Sequence, residues 1–122
     1  MCMVDSGEGW KVFRSESRTA RKPYRCYECG REIATGESYE YACGVLYGED
    51  RWEVMRTCAH CAAGPYAWLQ RVCDGWLYGG AYEDLYEHRF EPDVRDFALY
   101  RNIVGMRRRW RKRDGTLMEI PA

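Results

Sequence analysis

Two pairs of cysteines have the types and spacing to do chemistry. They are Cys26-Tyr27-Glu28-Cys29, followed directly by Gly30, and Cys58-Ala59-His60-Cys61, with 28 residues between the pairs. A C-x-x-C pair sets two thiolates on one ion from a tight turn. Two such pairs complete the tetrahedral shell that zinc prefers in structural sites. Gly30 suits the turn, since a residue there often needs positive φ, which only glycine adopts without steric cost. The spacing therefore predicts one structural Zn²⁺ held by Cys26, Cys29, Cys58 and Cys61. The alternatives for these residue types are a redox C-x-x-C and two disulfides. A thioredoxin-like motif uses one pair at a βα turn and leaves the second unexplained.

Four cysteine ligands leave no open coordination position, so this ion is not expected to polarise a substrate. His60 lies inside the second pair and could replace a cysteine, but both cysteines reach the ion more naturally. His88 follows an acidic stretch and is read as a structural or helix-capping residue. An HNH-type nuclease needs histidines on the hairpin and helix, and there is none between Cys29 and Cys58. No nucleophile–base pair, Gly-rich phosphate loop or cofactor fingerprint appears, so no catalytic residue is assigned and the chain is not expected to be an enzyme. The second candidate site is Arg107-Arg108-Arg109-Trp110-Arg111-Lys112-Arg113. Its cations could contact a nucleic-acid backbone while Trp110 stacks on a base. Alternatively, cations at a helix C-terminus stabilise it through the dipole.

With 122 residues, 46% of them hydrophobic and 15% aromatic, one domain with a real core is expected, part of its stability supplied by the metal. Formal net charge is zero but unevenly spread: residues 58–105 hold four basic and seven acidic side chains, residues 106–122 six and two. A neutral-to-acidic body is a poor general polyanion binder, and only the tail suits that role. Seven cysteines leave Cys2, Cys43 and Cys73 beyond the metal set, at positions that do not read as pairs. That favours a reducing compartment. No apolar run is long enough for a membrane span, and the N-terminal residues lack a signal-peptide pattern, so the cytoplasm is expected.

The elements that must position the cysteines follow from pattern. Residues 1–22 are polar, allow a short strand at Trp10–Val12, and otherwise read as a flexible approach. The cluster Arg18, Arg21, Lys22 and Arg25 could touch phosphates, but such a cluster is more often a solvated face, here one that offsets the negative metal site. Ile33 should pack beneath the first knuckle. Tyr39, Tyr41, Cys43, Val45 and Tyr47 alternate with other residues and predict a strand. A turn at Gly48-Glu49-Asp50 and a return strand over 51–57 follow. The tyrosine stripe could stack bases, but packing against the next helix is the better account. Beyond the second knuckle, Ala62, Pro65, Leu69, Val72 and Trp76 recur at helical spacing, with the regular part starting near Gly64–Pro65 and ending at Asp74-Gly75. After Gly79-Gly80, Tyr82, Leu85, Tyr86 and Arg89 face inward on a short helix, with Glu83, Asp84 and Glu87 outward. A last helix starts at Glu91-Pro92-Asp93 and carries two apolar stripes: Val94, Phe97, Arg101, Val104, and Leu99, Ile103, Met106, Trp110. Its basic end stops at Asp114-Gly115, and residues 116–122 read as frayed.

The expected fold is α+β: a treble-clef zinc finger of knuckle, β-hairpin, knuckle and helix over residues 23–75, extended by two C-terminal helices. The helical extension covers 76–113, with 1–22 as approach and 114–122 as tail. The segment from Arg25 to His88 resembles a group of small phage- and prophage-encoded proteins, mostly without assigned function. The resemblance rests on Cys26-x-x-Cys29-Gly30, Ile33-x-x-Gly36-Glu37-x-Tyr39, Gly44, Trp52, Thr57-Cys58-x-His60-Cys61, Trp68-Leu69 and Glu83-Asp84-Leu85-x-Glu87-His88. It implies a zinc-stabilised accessory protein of a phage, acting inside the host. The leading expectation is a non-enzymatic inhibitor or adaptor that binds a host or phage protein through its aromatic and helical surface. The alternative is a nucleic-acid-binding regulator using the Arg-rich end. No feature specifies the oligomeric state.

Overall fold

The computed structural model describes residues 2, 3 and 9–122. Within 1–22, residues 1 and 4–8 lie outside the described residues, and most of the remainder is not a flexible approach. It forms β1 (Trp10–Thr19), a ten-residue edge strand. Serines and charged residues hide a strand from a hydrophobicity pattern when both faces are wet, and β1 is exposed along almost its whole length.

Next come the short strands β2 (Tyr24–Arg25) and β3 (Glu32–Ile33), an antiparallel pair that closes the first cysteine turn. The long strand β4 (Ser38–Leu46) and β5 (Glu53–Cys58) form the expected hairpin, with β4 central in the sheet order β1-β4-β5. The tyrosine stripe is not the face that meets the helices, although Tyr39 and Cys43 are buried on it. Residues paired across strands share a face, and Ala42 pairs with Met55 while Glu40 pairs with Thr57. This small-residue face receives the helices: Ala42 and Met55 are buried, the Trp10 ring covers Gly44, and the Thr57 hydroxyl meets the Tyr66 hydroxyl at 3.0 Å. On the other face Tyr41 lies under the guanidinium of Arg18 at 3.7 Å, and Tyr39 packs on Tyr24. Small residues let a helix approach closely. Tyrosines are instead accommodated where cations can cover their rings.

The first helical rod starts earlier than its periodicity suggested. It runs without interruption through α1 (Ala59–Cys61), a π-helical segment (Ala62–Tyr66) and α2 (Ala67–Cys73). Pro65 falls inside the π segment, where the wider turn tolerates its missing N–H. The left-handed residue ending the rod is Asp74, one before Gly75. Against the sheet side, Tyr66 stacks on Trp76 at 4.2 Å, and Tyr78 joins them edge-on.

The second rod, α3 (Ala81–Glu87), continues into a 3₁₀ turn, His88–Phe90. Asp84, expected outward for its charge, is buried with His88. The third rod, α4 (Phe97–Arg107), is shorter than expected at both ends. Asp96 caps it by accepting the Leu99 N–H at 2.8 Å, so the chain before it is a turn. At the other end Arg109 and Trp110 adopt positive φ and break the helix. Of the basic run only Arg107 is helical. The C-terminal residues are docked, not frayed: the Met118 N–H bonds the Trp110 carbonyl at 2.7 Å, and Arg111 bridges Leu117. The result is a mixed α+β domain with an antiparallel sheet and three helical rods. Its core runs from Ile33 and the cysteines through Trp68, Leu69 and Leu85 to Leu99, Ile103 and Trp110. Among the described residues no helix is long and apolar enough to cross a membrane.

Candidate metal centre

The first cysteine turn lies between β2 and β3. The Cys26 N–H bonds the Arg31 carbonyl at 2.8 Å, the Gly30 N–H bonds the Cys26 carbonyl at 3.1 Å, and Gly30 has φ +79°. The positive φ is the conformation that its glycine was expected to serve. The second pair comes from the end of β5 and the first turn of the rod. Cys58 is the helix cap and its sulfur accepts the Cys61 N–H at 3.4 Å. Helix-start amides point at this thiolate because they have no partner within the helix.

All four sulfurs lie within 4.8 Å of one another, and Cys29 Sγ to Cys58 Sγ is 3.9 Å. A tetrahedral ion with Zn–S near ~2.3 Å requires sulfur–sulfur edges of about 3.8 Å. The four cysteines are therefore compatible with a single structural zinc site. As bare thiols they could not all ionise in this space. Hydrogen bonding from Cys29 pulls Cys26 down, while hydrogen bonding with Cys26, the other two sulfurs and burial push Cys61 up. A divalent cation removes that conflict, since it binds each sulfur as thiolate.

The groups around the sulfurs stabilise that charge. Cys26 Sγ accepts the Cys58 N–H at 3.3 Å, and Cys61 Sγ accepts the indole N–H of Trp110 at 3.2 Å. Trp110 is 1% exposed, so it is not the base-stacking ring proposed from sequence. The reversed backbone at Arg109 and Trp110 brings the indole under Gly105 and beside His60. The flanking cations stay outside. Arg107, Arg108, Arg109, Arg111, Lys112 and Arg113 are exposed, and Arg109 reaches back over Gly30.

His60 is occupied at both ring nitrogens. Nε2 lies 2.6 Å from the Met118 carbonyl and so carries the proton, leaving Nδ1 to accept from Arg31 at 3.2 Å. It spaces the two cysteines and ties the C-terminal segment to the centre. Arg31, buried at 3% exposure, donates to both carboxylate oxygens of Glu37 and is held charged, with the Cys58 sulfur contributing. This arginine, which lies outside the expected cluster, brings positive charge to the Cys58 sulfur. Arg25 bonds the Gly30 carbonyl, while Arg18 lies on Tyr41. Glu28, within the first knuckle, accepts from the Tyr66 hydroxyl and from the N–H groups of Gly79 and Ala81, fastening the knuckle to the helices.

The chain matches no protein-family model, no curated protein and no solved structure. Its functional reading thus rests on its own geometry. Arg31, Glu28 and Trp110 were not read as parts of the centre from sequence, because their partners are distant in the chain. Only the adjacency of Glu28 and Arg31 to the first pair offered a signal. Two of the three remaining cysteines differ from expectation. Cys43 is free and buried, but Cys2 and Cys73 are joined, their Cα atoms 5.7 Å apart. The leftover cysteines therefore supply no argument for a reducing compartment.

Proposed function

We propose that this is a phage-encoded treble-clef zinc protein that acts in the host cytoplasm by binding a host or phage protein, as an inhibitor or adaptor, without catalysis. The observation that carries the reading is the outer face of α4. Leu99, Ile103 and Met106 are buried, whereas Phe97 is 82% exposed and Tyr100 and Val104 remain open beside it. Phe97, Tyr100 and Val104 recur at three and four residues, so they form one continuous stripe. Helix-in-groove recognition uses this pattern of anchors. Knuckle, hairpin, and a helix that begins at the second cysteine pair is also the chain order of a treble clef, which supports that part of the reading.

The test is affinity capture from host cells with wild type and a Phe97→Asp, Val104→Lys double variant. Both changes lie on the exposed face, and their charges suit the respective helix ends. The expected result is a protein retained by wild type at stoichiometric level and lost from a variant with unchanged circular dichroism. Equal capture by both would overturn the role of this face.

A second reading, a nucleic-acid-binding regulator, is supported by the six exposed cations at Arg107–Arg109 and Arg111–Arg113. It no longer includes Trp110 as a stacking group.

A further inference from the structure

Away from the four-cysteine centre, three metal-ligating atoms converge from three separate elements. They are Cys2 Sγ near the N-terminus, Cys73 Sγ at the end of α2, and His88 Nε2 in the turn after α3. All three lie within 4.8 Å of one another, with the imidazole nitrogen 3.8 Å from Cys2 Sγ and 3.6 Å from Cys73 Sγ. We propose that these residues form a second metal site, which takes a zinc ion when Cys2 and Cys73 are reduced and is closed by their disulfide when they are oxidised.

The histidine is set as a ligand. His88 Nδ1 lies 2.7 Å from the Asp84 backbone carbonyl, an acceptor only, so the ring proton sits on Nδ1. Nε2 is left with its lone pair directed at the two sulfurs. Metal-binding histidines are characteristically oriented by such a bond from the other ring nitrogen. The ring is 1% exposed and meets Trp68 edge-on, which fixes its plane.

The carboxylate behind it points the same way. Asp84 Oδ1 is 3.2 Å from His88 Nδ1, yet that contact lacks hydrogen-bond alignment, and among the described residues the atom is buried without a hydrogen bond. Asp84 Oδ2 accepts the Met3 N–H at 3.3 Å, tying it to the segment that carries Cys2. A buried carboxylate oxygen with no donor calls for positive charge nearby. An imidazole bound to a divalent cation supplies it without a second ring proton. Glu91 Oε2, 3.9 Å from Nε2, is placed to approach the fourth coordination position.

The chemistry balances in both directions. In the reduced protein, two thiols release two protons as their sulfurs bind Zn²⁺, and the neutral imidazole binds through Nε2. When a low-molecular-weight disulfide accepts the two thiolates' electrons and takes two protons from water to become two thiols, its S–S bond breaks, Cys2 and Cys73 form theirs and the Zn²⁺ ion is released. The four-cysteine centre, with no sulfur pair drawn into a bond, keeps its metal.

The test is metal stoichiometry by inductively coupled plasma mass spectrometry on the full chain, loaded with zinc under a phosphine reductant and then desalted. The expected values are two zinc ions per chain for reduced wild type. One is expected for Cys2→Ser, and one after wild type is treated with glutathione disulfide. Cys2 lies outside the strands and helices, so its replacement should leave the fold intact, and Cys73→Ser provides an independent check at the α2 end. One zinc in reduced wild type would overturn the proposal and make the Cys2–Cys73 pair a purely structural disulfide. Two zinc ions in both serine variants would overturn it equally, by placing the second ion elsewhere.

Discussion

The sulfurs of the four-cysteine centre, three of them on buried residues and Cys29 half-buried, sit in a shell of donors, and each donor has a consequence when removed. Cys58 has the most: it is one of the four cysteines that could hold the ion, a helix cap and the acceptor of the Cys61 N–H. Cys58→Ser, or removal of the metal with a strong chelator, should leave a largely unfolded chain, because zinc-binding free energy in such sites is folding free energy. Loss of ellipticity on chelation and its return with added zinc is the check. Glu37 provides a pH readout. Burial pushes its carboxyl up, but the hydrogen bonds from Arg31 and the Ala34 N–H outweigh this and hold it below the usual range. A carboxylate with a lowered folded-state pKa stabilises the fold fully above its unfolded value, near ~4.3, and loses that contribution as pH falls through the folded value. The stability gap between wild type and Glu37→Gln should therefore be largest near neutrality. It should shrink as urea midpoints are taken below about pH 4.3.

At the scale of elements, the end of α4 determines how the C-terminal segment meets the metal centre. Gly105 has no side chain because the Trp110 ring occupies the position where a Cβ would be. In an open helix, Gly→Ala gains about 1 kcal/mol. Here Gly105→Ala should instead cost about 1–3 kcal/mol by overpacking, with the indole displaced from Cys61. Thermal melts give the sign directly, and a stabilised variant would mean that the indole does not sit there. Gly64 has a similar reason in the first rod: Asn102 of α4 and Pro121 crowd the space a side chain would need. The two glycines let α4 and the C-terminal segment approach the helix that carries the second cysteine pair.

For the whole molecule, the distribution of surface character sets the two functional readings apart. The exposed apolar stripe of α4 and the basic turn after it are neighbours in sequence but differ in how a partner would respond to salt. Backbone contacts to nucleic acid release counterions, so each cation engaged steepens the salt dependence. Cutting the chain after Gly105 would also remove Trp110 from the metal centre, so charge-only changes are the cleaner probe. If the regulator reading holds, wild type should bind single-stranded DNA with an affinity that falls steeply between 50 and 200 mM salt, the range over which multi-phosphate contacts weaken most. An Arg108→Gln, Arg111→Gln, Arg113→Gln variant should then lose most of this binding. No binding by wild type at 50 mM salt, the low end of that range, would leave the protein-binding reading alone.

What the sequence determined by itself was local or strictly spaced. The two C-x-x-C pairs fix a four-thiolate cluster because each pair is one turn of chain. Gly30 fixes its turn, alternation fixes β4, and apolar periodicity fixes the presence of three helical rods. What only the tertiary structure decided was everything set by partners far apart in the chain. β1 is a strand because β4 offers it a ladder, although its own residues are polar. The tyrosine face of β4 does not receive the helices, although Tyr39 and Cys43 are buried on it, because helix packing selects the small-residue face. Asp84 and His88 look like a charged helix surface until α2 and the N-terminal segment cover them. Trp110, read both as a base-stacking ring and as part of an apolar stripe, is buried and donates to the Cys61 sulfur through two residues of positive φ. Spacing encodes ligands that share one turn, whereas the groups that support them are chosen by packing across the core, a non-local quantity.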